Sequence, residues 1–230
     1  TFPSRPTDTL FMADDDASAG AEGGAPPPPP QPAIEFTTLD DMVAASKEQL
    51  GGLFIKPKLS SKLLKRPPFS YLRAITAAAI ETTGVATTLF SAEELGIGEA
   101  SAGPDAPPPD KAAKIRFLVK LISWLRFASG ERLDVFVSPA KVVSGQESEG
   151  TNLLLQYLGW VMKYAERATV DKAVEQTLAV APEALYQQAI QIRSTIAKMQ
   201  ATYRGKLARR KAEAEARARE PERAAAAAAA

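Results

Sequence analysis

Carboxylates and lysines carry whatever side-chain chemistry this 230-residue chain can perform, because it contains no cysteine and no histidine. That absence excludes disulfides, cysteine nucleophiles, imidazole bases, Cys/His zinc sites and Ser-His-Asp triads. Adjacent carboxylates occur at Asp14 to Asp16, at Asp40 with Asp41 and at Glu93 with Glu94. No glycine-rich phosphate loop or metal-ligand spacing accompanies them, so we interpret them as helix caps and solvated charge. The sequence predicts a protein that is not an enzyme and has no cofactor and no metal.

Clustered cations form the first candidate binding site. The net charge of +1 conceals a strong segregation, since residues 1–55 carry nine acids against two cations, whereas residues 56–80 carry six cations and no acid. Five of those six, which we call the basic cluster, are Lys56, Lys58, Lys62, Lys65 and Arg66. Such a cluster would be steered to a strongly acidic surface and held there in a salt-dependent way. The alternative is a solvated face, because exposed charge runs are common.

Two other classes of partner are disfavoured. No aromatic residues are interleaved with the basic cluster and no nucleic-acid-binding motif is recognisable, so we expect no nucleic-acid partner. No apolar run approaches the roughly 20 residues that span a bilayer. No charged and then apolar leader precedes a small-residue cleavage site. We therefore expect a soluble protein of the cytoplasm that does not contact membranes.

A second acid-free basic stretch, residues 193–211, contains the other candidate site. Its residues 199–209 fit the pattern hydrophobic-Gln-x-x-x-Arg-Gly-x-x-x-Arg and resemble an IQ motif, the helical site that calmodulin and related light chains grip. The candidate calmodulin-binding residues are Met199, Gln200, Tyr203, Arg204, Gly205, Leu207 and Arg209. In a helix the apolar members recur every four residues as one stripe, while the arginines meet acidic lobes. The alternative is a basic surface helix that contains Arg-Gly by chance.

Proline-rich and charged stretches divide the chain. We predict a disordered or extended acidic, proline-rich arm over residues 1–33, a short helix and linker over 34–54, a compact domain over 55–168, a helical extension over 169–221 and an alanine-rich tail over 222–230. Because the short helix is acidic, we expect it to lie outside the compact domain. A second proline cluster, residues 103–109, predicts a surface loop within that domain.

Helical periodicity and capping residues predict an all-α fold. Helix starts are indicated by Thr38, by Ser91 with Glu94 in a capping box, by Asp110 and by Ser138-Pro139. The run of residues 152–165 is apolar on more than one face, so we expect it in the centre of the core. The alternating residues 133–137 resemble a strand, but their helical neighbours favour a loop that plugs the core.

A long helix is predicted to project from the C-terminal side of the domain. Nothing but Gly205 interrupts helicity between Pro182 and Glu220, a stretch that would extend about 58 Å. Its first half carries apolar positions that can pack on the domain, namely Leu185, Ile190, Ile192 and Ile196. Its second half, rich in Ala, Glu and Arg, predicts a solvated helix or a partner-dependent coil.

The segment around the basic cluster carries a family resemblance. Residues 56–72, KPKLSSKLLKRPPFSYL, resemble the opening of the N-terminal calponin-homology-like domain of the microtubule-interacting, TRAF-binding intraflagellar transport protein 54 family. Four further stretches agree in order, namely Thr83-Gly84, Lys114 to Leu118, Pro139 to Gly145 and Thr151 to Gln156. The resemblance covers roughly residues 55–165. It implies a calponin-homology-like helical domain that binds tubulin or scaffolds ciliary complexes.

The departures from that family shape the functional prediction. The family continues with a long charged disordered region and a coiled coil, whereas here a basic helix follows the domain closely. We therefore predict a structural adaptor of the cilium or flagellum axoneme, part of the cytoskeleton, that docks on tubulin or an axonemal neighbour and recruits calmodulin or a calmodulin-like light chain. One alternative is an intraflagellar transport subunit that carries tubulin. Another is an actin-binding cytoskeletal protein.

Overall fold

The computed structural model describes residues 28–34, 37–97 and 109–228, with side chains as far as Ala212. Every regular element in those ranges is an α-helix, which confirms the predicted all-α fold class. The helices are α1 Leu39–Leu50, α2 Ser61–Lys65, α3 Phe69–Thr83, α4 Ala92–Leu95, α5 Lys111–Ser129, α6 Leu133–Phe136, α7 Pro139–Val143, α8 Ser148–Tyr164, α9 Arg167–Leu178 and α10 Pro182–Ala228. Residues 1–27 of the predicted arm and residues 103–108 of the predicted loop lie outside the described residues.

Helix α8 forms the centre of the core, as its apolar residues predict. Every residue from Gly150 to Met162 is buried. Helices α1, α2, α3, α5 and α7 all pack against it. Such a helix must be apolar on several faces, because it meets protein rather than water in most directions.

Helix α1 belongs to this core, so the expectation that it lies outside the compact domain is wrong. It packs along α8 more extensively than any other pair of helices, and its Met42, Val43 and Leu50 are buried. The two backbones approach closely at Gly159 of α8. A Cβ atom there would lie 2.7 Å from the carbonyl carbon and oxygen of Gln49 in α1. The acidic residues of α1 occupy only its outer face, so the acidic composition of the helix did not indicate that its other face is buried.

A buried polar network ties α1 and α2 to α8. Asn152 is fully buried, accepts a hydrogen bond of 2.9 Å from the Ser46 hydroxyl and donates one of 2.8 Å to the Leu64 carbonyl. One turn further along α8, Gln156 donates to the Met42 carbonyl at 3.1 Å. A buried polar group left without a partner costs about 1–3 kcal/mol. The network therefore fixes α1 and α2 in register on α8.

Local capping signals define several helix ends as predicted. Ser91 and Glu94 form a reciprocal capping box at α4. Asp110 caps α5 by accepting a hydrogen bond of 2.6 Å from the Ala113 amide. Residues 133–137 differ from the expected loop, because they form the single turn α6 followed by an extended residue. The ends of this segment, Leu133 and Val137, are fully buried and plug the core as expected.

The last six residues of the predicted arm, 28–33, are extended but not free. The Pro29 carbonyl accepts a hydrogen bond of 3.0 Å from the Trp160 indole, and the Pro32 carbonyl accepts one of 2.7 Å from the Tyr157 hydroxyl. Both donors belong to α8. The proline-rich segment therefore lies on the compact domain.

Helix α10 is the predicted projecting helix, and its 47 residues extend about 70 Å. It packs on α5 and α6 through its first turns, where Leu185 and Ala189 are buried. Ile190, expected to pack, is 39% exposed, because Ala189 faces the domain in its place. Residues 197–212 are all exposed. Across the described ranges no helix is long and apolar enough to cross a membrane.

Candidate functional site

The basic cluster lies on one exposed strip of the domain, formed by the loop before α2 and by α2 itself. All five of its side chains are exposed. The fully buried Leu64 anchors α2, so the neighbouring Lys62, Lys65 and Arg66 point to solvent. Tyr71 of α3 holds the loop, since its hydroxyl donates to the Lys58 carbonyl at 2.9 Å. Burial raises the pKa of this phenol above its usual value, which keeps the donor protonated.

The assembled surface differs in charge from the linear sequence, because α1 contributes to it. Lys65 forms an ion pair of 2.5 Å with Asp40, and Lys47 donates a hydrogen bond of 2.6 Å to the Ser61 hydroxyl at the start of α2. Lys47 was missed by the sequence analysis, since only the packing of α1 brings it here. In the described part of the chain, no carboxylate pairs with the other four members of the cluster. Four cations of the cluster thus remain outside any ion pair in these ranges, although the exposed Glu81 lines the same surface depression as Lys56.

Two apolar side chains accompany the cations. Ile55, immediately before the cluster, is 91% exposed, and Leu63 within α2 is 38% exposed. Apolar groups of this size next to unpaired cations are suited to contact with another macromolecule. The sequence contained this signal, because one apolar residue directly precedes the run of charges and the other interrupts it.

The predicted calmodulin-binding residues lie on the free part of α10. Met199, Tyr203 and Leu207 are 66%, 68% and 57% exposed and follow one another every four residues. Gln200, Arg204 and the other positions of the motif are also exposed. At Gly205 nothing lies within 4 Å of the position that a Cβ atom would take. The stripe is thus open to a partner along its whole length.

Arg193, the first cation of the second basic stretch, has a different role from the others. Its guanidinium donates to the Asp134 carbonyl at 2.8 Å and to the Val137 carbonyl, and thus attaches α10 to the segment around α6. Burial lowers the pKa of this arginine, and the carboxylates of Glu147 and Asp134 oppose that effect. Sequence reasoning grouped Arg193 with the solvated cations, because its acceptors are backbone carbonyls far away in sequence.

The fold and its exposed basic strip define the class of protein. A family model described as the CH-like domain of microtubule-binding protein MIP-T3 matches residues 42–164, from within α1 to the end of α8. The chain belongs to this calponin-homology-like family. The match begins inside α1, in agreement with the burial of that helix, and it contains the basic cluster. Helix α10 and its motif lie outside it.

The curated relatives share the name TRAF3-interacting protein 1. The chain is 36% identical over 138 residues to the proteins of Rattus norvegicus and Mus musculus, and 35% identical over 140 residues to that of Danio rerio. These matches cover 60% or 61% of this chain but only 19% or 20% of the relatives. The chain therefore spans about a fifth of the length of the curated relatives that it matches.

Proposed function

We propose that this protein is a non-enzymatic adaptor of the cilium or flagellum axoneme, in which the calponin-homology-like domain docks on a microtubule and α10 recruits a calmodulin-like light chain. The observation that carries the proposal is the exposed basic cluster on a domain whose family is described as microtubule-binding. The surface and tails of tubulin are strongly acidic. Charge complementarity therefore favours tubulin or an acidic axonemal neighbour as the partner.

The shape of the basic strip suits a contact that is both charged and apolar. The cations steer the encounter, while Ile55 and Leu63 can lose water on contact. Ion pairs at an exposed rim contribute little each, typically 0.2–1 kcal/mol, so several must act together. The five cations, with Lys47 beside α2, supply that number.

Each segment has its own part in this proposal. We assign docking to a compact unit that begins with α1 rather than at residue 55, because α1 is part of the core. The predicted extension, residues 169–221, is shorter in the structure, because α9 packs on α5 and its Val170 and Val174 are buried. The part that carries the light-chain site is therefore α10. The acidic arm and the alanine-rich tail lie outside both sites.

The docking proposal is tested by cosedimentation of the whole chain with microtubules. We expect binding at about 0.05 M ionic strength that weakens strongly by about 0.3 M, because screening shortens the reach of exposed charges. Microtubules whose acidic tails have been removed by protease provide the second arm. Weaker binding to these assigns the tails as the partner, and equal binding assigns the tubulin body. Absent or salt-independent binding would contradict the proposal.

The light-chain site is proposed on the stripe of Met199, Tyr203 and Leu207. Their exposure leaves a row of apolar side chains in water, which a hydrophobic groove can cover. Arg204 and Arg209 flank the stripe and would meet acidic groups of the partner, while Gly205 lets the partner approach the backbone. The helix is already formed, so binding costs little ordering.

Replacing Gln200 and Arg204 together by alanine is expected to weaken calmodulin binding by about tenfold or more. The change removes one hydrogen-bonding amide and one charge, which are worth about 1–3 kcal/mol together. Binding of calmodulin to the whole chain is measured by calorimetry with and without calcium. The matched control, Lys198→Ala with Thr202→Ala, removes one cation and one polar group outside the fixed positions of the motif. Equal loss in both variants would assign the effect to charge alone.

The similarity to TRAF3-interacting protein 1 favours a second candidate, an intraflagellar transport subunit that uses the same domain to carry tubulin. That function requires binding of unpolymerised tubulin and an obligate helical partner on residues 165–220. A chain that binds soluble tubulin more tightly than microtubules would favour transport. The reverse preference would favour the axonemal adaptor.

A further inference from the structure

A proline-rich segment of the chain is hydrogen-bonded to the surface of its own domain. Residues 28–33 read Pro-Pro-Pro-Gln-Pro-Ala. The Pro29 and Pro32 carbonyls accept hydrogen bonds from Trp160 and Tyr157 at 3.0 and 2.7 Å. Between them, the Gln31 side-chain amide donates to the Ser129 carbonyl at 3.1 Å, at the end of α5. Contacts therefore fix the segment on two sides.

The two accepting carbonyls are three residues apart, which is the repeat of a polyproline helix. Proline fixes φ near −65° and restricts the residue before it to extended conformations, so this sequence favours the three-residue turn of polyproline II. Carbonyls three residues apart, such as those of Pro29 and Pro32, then point the same way. The two donors are also three residues apart, which places them on one face of α8. Segment and helix run in opposite directions, with Pro29 at Trp160 and Pro32 at Tyr157.

The chemistry of the groove is that of aromatic donors. Proline lacks an N–H, so a proline-rich segment offers mainly hydrogen-bond acceptors. The domain supplies two donors, an indole N–H and a phenol O–H. Both rings are buried, and the half-exposed Tyr164 ring extends the aromatic surface 6.4 Å from the Trp160 ring centre. Burial and the charge of Glu131 raise the pKa of Tyr157 to about 12, so its hydroxyl remains a donor. Tyrosine and tryptophan bury apolar area and still present such a polar group.

We propose that Tyr157, Trp160 and Tyr164 line a recognition site for polyproline II peptides, and that residues 28–33 occupy it in cis. The site is distinct from both surfaces of the proposed function and does not depend on them. Tethering gives the internal segment an effective concentration in the millimolar range, so an external proline-rich peptide must compete with it.

The test compares the wild-type chain with a variant in which the segment loses its conformational preference. Pro28, Pro29, Pro30 and Pro32 are all replaced by glycine, which keeps every backbone carbonyl but removes the polyproline bias. The probe is a fluorescein-labelled peptide of residues 26–34, titrated by anisotropy. We expect the glycine variant to bind it at least tenfold more tightly than the wild type, because its groove is vacant. Equal affinity for the two chains would overturn the proposal.

The placement of the site is tested by adding Trp160→Phe to the glycine variant. This change keeps an aromatic ring, though a smaller one, and removes the indole N–H donor, so we expect peptide affinity to fall about fivefold to tenfold, as for one lost hydrogen bond. Unchanged affinity would overturn the assigned groove. If circular dichroism shows that the glycine variant does not fold, the proposal is tested instead by hydrogen exchange of the Trp160 indole N–H in the wild-type chain. A protected indole proton supports the docked segment, and rapid exchange contradicts it.

Discussion

Reversal of three charges on α2, with Lys62, Lys65 and Arg66 all changed to Glu, is expected to weaken microtubule binding by about thirtyfold or more. Each exposed contact is worth roughly 0.2–1 kcal/mol, and reversal replaces attraction by repulsion of similar size, so the three changes cost roughly 2 kcal/mol or more. The Asp40 carboxylate, paired with Lys65 at 2.5 Å in the native chain, would also become unpaired. Cosedimentation measures the affinity, and the far-ultraviolet circular dichroism spectrum is expected to stay unchanged.

The matched control reverses three exposed cations elsewhere on the domain. Lys111, Arg116 and Lys172 lie on α5 and α9, are exposed and give the same change in net charge when replaced by Glu. We expect this variant to lose less than threefold in affinity. If both variants lose binding equally, the partner senses the total charge rather than the basic strip. If neither loses it, the microtubule contacts another face.

Replacing Gly159 by alanine is expected to lower the free energy of unfolding by about 2 kcal/mol. The new Cβ atom would lie 2.7 Å from the backbone of Gln49, and that backbone cannot rotate away as a side chain can. Helices α1 and α8 must then separate along the most extensive helix pair of the domain. Overpacking of this kind costs typically 1–3 kcal/mol. Chemical denaturation followed by circular dichroism measures the loss.

The control for this change is Gly205→Ala in α10. Alanine favours a helix over glycine by about 1 kcal/mol at either position. At Gly205 no atom lies within 4 Å of the new methyl group, so only this helix preference operates. We expect the unfolding midpoint of the domain to be unchanged or slightly raised. If the Gly159 variant is as stable as this control, α1 can move away from the new methyl group with no loss in the free energy of unfolding.

Local signals in the sequence predicted much of the helical framework. Capping by Ser91 and Asp110 acts between residues three apart, so it can be recognised without knowledge of the fold. The central position of α8 also follows from its own residues, because a helix that is apolar on several faces has few other places to lie. The apolar stripe of α10 could also be recognised from its own residues, because their four-residue spacing places them on one side of a helix.

Long-range contacts were the part that the sequence could not supply. The acidic residues of α1 suggested an outer helix, but the buried side of that helix is decided by Gly159, more than a hundred residues away. Lys47 reaches α2 through the Ser61 hydroxyl, and this contact depends on the packing of α1 rather than on any local pattern. Composition also suggested that residues 28–33 are free, whereas two aromatic donors on α8 hold them. In each case the decisive partner lies on another element.

Because Arg193 attaches α10 to the domain, the rest of the helix moves with the domain and keeps a fixed orientation about its own axis. From Arg193 to Ala228 the helix continues for about 52 Å, so a rotation of the domain by about 10° would sweep its far end by about 9 Å. Tyr203 lies only about 15 Å along the same axis, and a partner bound there is carried through about a quarter to a third of that arc. Each residue inserted between the two positions would turn the bound partner by about 100° around the axis. The direction in which the proposed light-chain site faces is thus set by the number of residues between Arg193 and that site.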